Sequence, residues 1–278
     1  TKRHVTVALA GDGADELFAG YRMYQGEYLA KYYSILPGII KEKVIEPFIN
    51  YLPDSREKKH SEYIRRLKKF TNGMSGSLAE RFYGWQEICS HDIRQKLIRH
   101  HLRDKISFRE GQEIISQKLN EFAGDNINRM LYVDVKNSLP GDMLTKVDLM
   151  SMRNSLEVRV PFLDHEVVEL AFEMEGNVKL KGLKRKYILM ETFKDILPPM
   201  LHNRSKWGFE MPIGAWLRKE LKFLIDDFLS RDFINKQGFF EYEVIDGLIK
   251  KHMSKKTDYS LQLWNLIVFQ HWYKRFFQ

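Results

Sequence analysis

"HVTVALAGDGADELFAGY", residues His4 to Tyr21, is a short apolar run that stops at a tight acidic turn. Val5 to Ala10 is β-branched and nearly all apolar, which predicts a strand buried on both faces, as in a parallel sheet. Gly11, Asp12, Gly13, Asp15 and Glu16 then crowd into the turn, and Ala14 to Gln25 reads as a helix with an acidic first turn. Glycines and free backbone N–H groups at such a place suit a phosphate. Three carboxylates would repel that phosphate unless a hard cation such as Mg²⁺ lay between them. The third glycine of a dinucleotide fingerprint is missing, and no Gly-Lys-Ser/Thr follows as in a Walker A loop. Two readings stay open: a metal-plus-phosphate site, or an acidic first turn that needs no ligand. Local physics alone favours the second.

Outward from this turn the chain reads as mostly helical. Helical spacing covers Tyr28 to Ile35, Ile40 to Tyr51 and Ser61 to Phe70. Ser77 caps a helix carrying Leu78, Phe82, Trp85 and Ile88. Ser90 to His100, Gly111 to Phe122 and Asp125 to Asn137 follow. Leu139-Pro140-Gly141 is expected to break the chain before a helix over Asp142 to Asn154, whose methionines read as core filler. "LEVRVPFLD", Leu156 to Asp164, reads as extended, with Asp164 capping the next helix. Glu157 and Arg159 read as a buried ion pair inside it. Further helices are expected over Lys186 to Asp195, from about Pro212, and over Leu261 to Phe277. No repeat or low-complexity segment interrupts the 278 residues.

Composition sets the outer limits. A hydrophobic content of 44% supports a substantial core. No run approaches the roughly eighteen apolar residues of a membrane span. The lone Cys89 excludes an intramolecular disulfide and multi-cysteine metal sites, so a cytoplasmic location is the default. The net charge of +8 favours an anionic partner. The basic residues are scattered, however, with runs at Arg56 to His60, Arg65 to Lys69 and Lys179 to Lys186. No nucleic-acid module accompanies them, so neither nucleic acid nor membrane is an expected partner.

Distant segments read together carry a resemblance. "AGDGADELFAGYRMY" resembles the "SGDGGDELFGGY" block of the glutamine-dependent asparagine synthetases. "LPGDMLTKVDLMSMRNSLEVRVPFLDHEVVELA" looks like that family's second long block, and "RSKWGFEMPIGAWLR" like its third. The three occur in family order from Val5 to Leu217. The resemblance implies a mainly α fold: the helical C-terminal part of an α/β, adenine-nucleotide α-hydrolase-like synthetase domain, with one strand left from its parallel sheet. Residues 1–278 are expected to be a single truncated domain. The glutaminase domain and the "SGGxDS" pyrophosphate loop of the family have no match in the chain.

The implied chemistry is ATP-dependent adenylation of the aspartate side-chain carboxylate, then amidation by ammonia from glutamine. ATP and Mg²⁺ are the implied cofactors and a homodimer is a possible assembly. The fragment alone is expected to be inactive and to bind ATP weakly. Asp15 matches the Mg²⁺-binding aspartate. Ala10, Gly11 and Gly13 match the nucleotide-binding turn; Ala10 replaces a usual serine and so keeps only its N–H. Asp12 matches a position linked to the acyl-adenylate, where a carboxylate could accept a proton from ammonia. Asp142 lies at or beside a carboxylate that partners it, and reads otherwise as a helix N-cap. Lys206 matches a lysine placed to neutralise charge at the α-phosphate, with Gly208 and Pro212 shaping its loop. Two alternatives remain: a relative acting on another carboxylate, such as a sugar-modifying amidotransferase or β-lactam synthetase, or a non-catalytic helical binding module.

Overall fold

A computed structural model describes residues 1–52, 59–74, 76–202 and 211–277. The chain divides into two compact units. One comprises Thr1–Pro37, Met74–Tyr83 and Gln112–Ser205; the other comprises Gly38–Gly73, Gly84–Gly111 and Lys206–Gln278. Helices dominate, as the resemblance implies. Strand β1 (Val7–Leu9) pairs in parallel with β2 (Glu157–Arg159), placing Ala8 opposite Val158. The extended second block is therefore a second strand.

In the first unit, β1 leads through the acidic turn to α1 (Ala14–Leu17) and α2 (Arg22–Ile35). The single helix expected over Ala14 to Gln25 is split, and Ala19 between the two takes a left-handed φ of 54°. Helix α3 (Asn126–Val133) starts where the Asp125 carboxylate accepts from the N–H groups of Ile127 and Asn128 at 2.9 and 3.1 Å. It continues as a π-helical stretch, Asp134–Leu144, into α4 (Thr145–Met152). The expected break at Pro140 does not occur. Proline removes an N–H and crowds the carbonyl four residues back. A wider i→i+5 turn relaxes that crowding, and the Thr145 hydroxyl donates to the Pro140 carbonyl at 2.6 Å. After β2, Asp164 caps α5 (His165–Glu173), accepting from the Glu166 N–H at 3.0 Å. Helix α6 (Tyr187–Thr192) follows.

Three surface expectations are corrected. Strand β1 is not buried on both faces: Val5, Val7 and Leu9 are exposed, Leu9 by 73%. Apolar composition says what a strand can bury, and β2 lies along one edge without covering its faces. The Glu157–Arg159 pair exists at 2.7 Å, but both partners are more than half exposed. Residues two apart on a strand share a face, and this face is open. Met150 and Met152 are exposed rather than core filler.

One hydrophobic cluster of the unit lies beneath the turn. Leu17, Phe18 and Ala171 are buried, packed by Phe162, Leu163, Val167 and Ile188. In the second unit Leu217, Ile225, Ile234, Ile245 and Leu263 are buried among the helices Ile213–Arg218, Lys222–Phe228, Arg231–Gln237, Tyr242–Met253 and Ser260–Phe277. Ser77 and Glu80 form a reciprocal capping box, Ser77 Oγ accepting from the Glu80 N–H and Glu80 from the Ser77 N–H. Among the described residues no helix is long and apolar enough to cross a membrane.

Candidate functional site

The acidic turn is assembled from segments far apart in sequence. Gly13 sits at φ +85°, a conformation that costs a side-chain-bearing residue energy. A Cβ there would also strike Leu163, so the turn is seated directly on the "PFLD" segment. Phe18 adds an edge-on contact with Phe162, with ring centroids 6.2 Å apart. The first two sequence blocks, separate in the chain, are thus one structure.

Gly11 is different. It is exposed, and a Cβ added to it would meet nothing within 4 Å. The fold does not require glycine there. The backbone simply presents a bare surface. Ala10, just before it, spends its N–H on the Arg159 carbonyl at 2.9 Å. The N–H that the sequence left for a ligand is therefore committed to the strand ladder.

The three carboxylates have separate environments. Asp12 is half-buried. Glu16 is buried and accepts from Tyr21 Oη at 2.5 Å. Burial, and then the Glu16 carboxylate, raises the Tyr21 pKa, so its phenol stays a donor. Asp15 is a quarter exposed and pairs with Lys186 Nζ at 3.0 Å. Sequence reading missed this partner. Lys186 occupies a left-handed backbone position, φ 50°, and its N–H donates to the Phe18 carbonyl at 3.1 Å. Arg185 beside it donates to the Gly20 carbonyl at 2.9 Å. A Cβ on Gly20 would overlap both the Asp15 carboxylate and the Lys186 stem. Gly20 is therefore the clearance that lets this ion pair form, and a signal for it lay unread in the "AGY" after the helix.

Asp142 lies in the interior of the π-helical stretch and is exposed. It is not the N-cap of a new helix, because the helix never stops at Pro140. Helix α1 packs against this stretch, yet among the described residues no hydrogen bond or ion pair joins Asp142 to Asp12. Lys206 and Gly208 lie outside the described residues. Pro212 precedes the helix Ile213–Arg218.

A Mg²⁺ ion keeps several waters and takes one or two carboxylates plus substrate phosphates. Asp15, with one partly exposed carboxylate, fits that share. Among the described residues no group of three or more acidic, His or Cys side chains could hold a metal by itself.

A cavity of about 740 Å³ lies elsewhere in the first unit, lined by residues including Glu27, Lys31, Phe122, Asn128 and Phe172. Neither the turn residues Ala10 to Glu16 nor Asp142 nor Lys186 lines it. Near it Lys179 is fully buried, donates to Asn128 Oδ1 at 2.7 Å and stands 5.0 Å over the Phe172 ring. Burial pulls its amine down to about 8, with Asp125 opposing.

Comparison with known proteins follows the same residues. The chain matches the family described as "Asparagine synthase" over residues 1–274. It is 30% identical over 272 residues to "Asparagine synthetase [glutamine-hydrolyzing] 1" of Bacillus subtilis, covering 98% of this chain and 41% of that protein. A "Putative asparagine synthetase [glutamine-hydrolyzing]" of Mycobacterium bovis is also 30% identical, over 99% of this chain and 40% of its own length. "Amidase chyE" of Penicillium rubens is 21% identical over 93% of this chain. The chain thus spans about two fifths of the length of these relatives.

Proposed function

The chain belongs to the asparagine synthase family, and on that premise we propose that it is the carboxylate-activating region of a glutamine-hydrolysing asparagine synthetase. The observation that carries this reading is the acidic turn: Gly11 open, Gly13 locked onto Leu163, and Asp15 aligned by Lys186. The bare backbone at Gly11 suits close approach of a nucleotide.

In the proposed reaction an oxygen of the aspartate side-chain carboxylate attacks the α-phosphorus of ATP. The bond to the β-phosphate breaks and pyrophosphate leaves. Ammonia released from glutamine by a glutaminase domain then attacks the acyl carbon, and AMP departs. Asp12, at the end of the turn, accepts the proton that ammonia loses. Asp142 supports Asp12 in that step. Lys206 neutralises charge building on the α-phosphate. Mg²⁺, when bound, would offset pyrophosphate charge, with Asp15 as its protein ligand. The Lys186 ammonium holds the Asp15 carboxylate in place.

A second reading keeps the activation chemistry and changes the acceptor. The match to a protein named an amidase favours holding it open. ATP–pyrophosphate exchange on the full-length protein, run with a panel of carboxylic acids, decides between them. Exchange with aspartate is expected. Exchange only with another acid would shift the acceptor, and none with any acid would sink the activation reading.

A further inference from the structure

We propose that Tyr24 and Asp134 are positioning residues of this site, setting the π-helical stretch that carries Asp142 against the turn that carries Asp12 and Asp15. The inference rests on the role proposed above for Asp142. Asp134 is the first residue of the stretch and is buried, with 1% of its surface exposed. Tyr24, fully buried in the first turn of α2, donates to Asp134 Oδ2 at 2.5 Å. Ser138, one turn further along the stretch, donates to Oδ1 at 3.0 Å. Both oxygens of the carboxylate are therefore held, which fixes its orientation.

The same end of α2 reaches the acidic turn. Tyr21 lies three residues before Tyr24, and their ring centroids are 6.1 Å apart. Its hydroxyl donates to Glu16, the residue after Asp15. The N-terminus of α2 thus makes two short, charge-assisted bonds, one to the turn and one to the π-helical stretch. Such a stretch needs an outside constraint more than an α-helix does. The π-helical conformation is rare and mostly confined to single turns, and Pro140 within this stretch supplies no N–H. The Tyr24–Asp134 bond is an anchor of the required kind, placed at the stretch's first residue.

The test uses the full-length protein. Tyr24→Phe removes one hydroxyl and keeps the ring. Its kcat for amide formation is expected to fall about tenfold or more, with KM for ATP nearly unchanged, because small misplacements of catalytic groups act on the chemical step. Tyr32→Phe, a control at an exposed tyrosine of the same helix, is expected to leave kcat alone. Combining Tyr24→Phe with Asp142→Asn should give no greater loss than Asp142→Asn alone, since both remove one positioned carboxylate. Should Tyr24→Phe fail to fold, Ser138→Ala carries the same comparison with a smaller loss. Unchanged kcat in a folded Tyr24→Phe or Ser138→Ala, or multiplied losses in the double variant, overturns the inference alone. An Asp142→Asn enzyme with full activity overturns the role of Asp142 and this inference with it.

Discussion

Around Leu263 and around Leu17 the chain solves the same problem with different materials. In the second unit, buried Leu, Ile and Phe side chains meet one another over most of the core. Buried Gln270 exchanges two amide hydrogen bonds with Gln237 at 2.6 and 2.8 Å, and buried His252 meets the Gly214 carbonyl at 3.1 Å and stands 3.5 Å from the Asp258 carboxylate. The first unit buries Leu17, Phe82, Leu119, Met130 and Leu131, and with them the ionisable side chains of Glu16, Glu27, Asp134 and Lys179. Among the described residues this unit also holds three left-handed non-glycine residues, Ala19, Ser155 and Lys186, against Lys255 in the second. Strain and buried charge cost stability, and they collect where a site is being shaped. The contrast teaches that buried ionisable groups and left-handed backbone are concentrated in the unit that carries the acidic turn.

The contrast can be broken by substitutions that should not trade effects. Leu263→Ala removes a fully buried side chain of the second unit. It is expected to cost about 2–5 kcal/mol of that unit's stability, read as a lower urea midpoint. Activity per folded molecule should stay as it was. Asp15→Asn is the converse. The full-length enzyme should lose ATP–pyrophosphate exchange by about a hundredfold or more, the scale of lost electrostatic stabilisation. Its thermal midpoint should barely move, because partly exposed ion pairs contribute only about 0–1 kcal/mol. Equal loss of activity in both variants would erase the distinction between the regions.

The two turn glycines sharpen it further. Gly13→Ala imposes about 1 kcal/mol of left-handed strain and drives a methyl into Leu163, so both stability and exchange should fall. Gly11→Ala meets nothing in the fold. Its stability should change by less than about 0.5 kcal/mol, while the affinity of the full-length enzyme for ATP, measured by calorimetry, weakens. A Gly11→Ala enzyme that binds ATP normally would show that the bare backbone there serves no ligand.

What the sequence made legible follows the range of the forces involved. The caps at Ser77 and Asp164 are local, a hydroxyl or carboxylate meeting an N–H group two or three residues on, and local signals suffice to find them. The acidic turn was legible as a turn but ambiguous as a site. Its partner Lys186 comes from another segment, and nothing near Asp15 announces it. The passage of the helix through Pro140 was misread because proline is a local signal. Whether it breaks a helix or widens one depends on contacts that the local sequence does not state. Exposure of Val5, Val7 and Leu9 was illegible for a related reason: an apolar strand states what it could bury, not what covers it. Lys206, the strongest reading of the third block, lies outside the described residues.

Lys179 offers the smallest expected effect and the finest probe of the polar unit. Its amine is fully buried, and burial lowers its pKa from 10.5 to about 8. The folded protein therefore holds this proton less tightly than the unfolded chain does. Below pH 8 both states are protonated and the cost of the buried charge is fully present. Between pH 8 and 10.5 the folded amine is neutral while the unfolded one is still charged, so rising pH favours folding. Lys179→Met lacks this titration and leaves Asn128 Oδ1 without its donor. Other groups, Tyr24 among them, titrate alike in both proteins and cancel in the difference. The urea midpoint of the parent, measured against that of Lys179→Met, should therefore climb from pH 8 to pH 10. A difference that stays flat or declines would mean that the ammonium is not desolvated, and that this unit tolerates charge more cheaply than its hydrogen bonds imply.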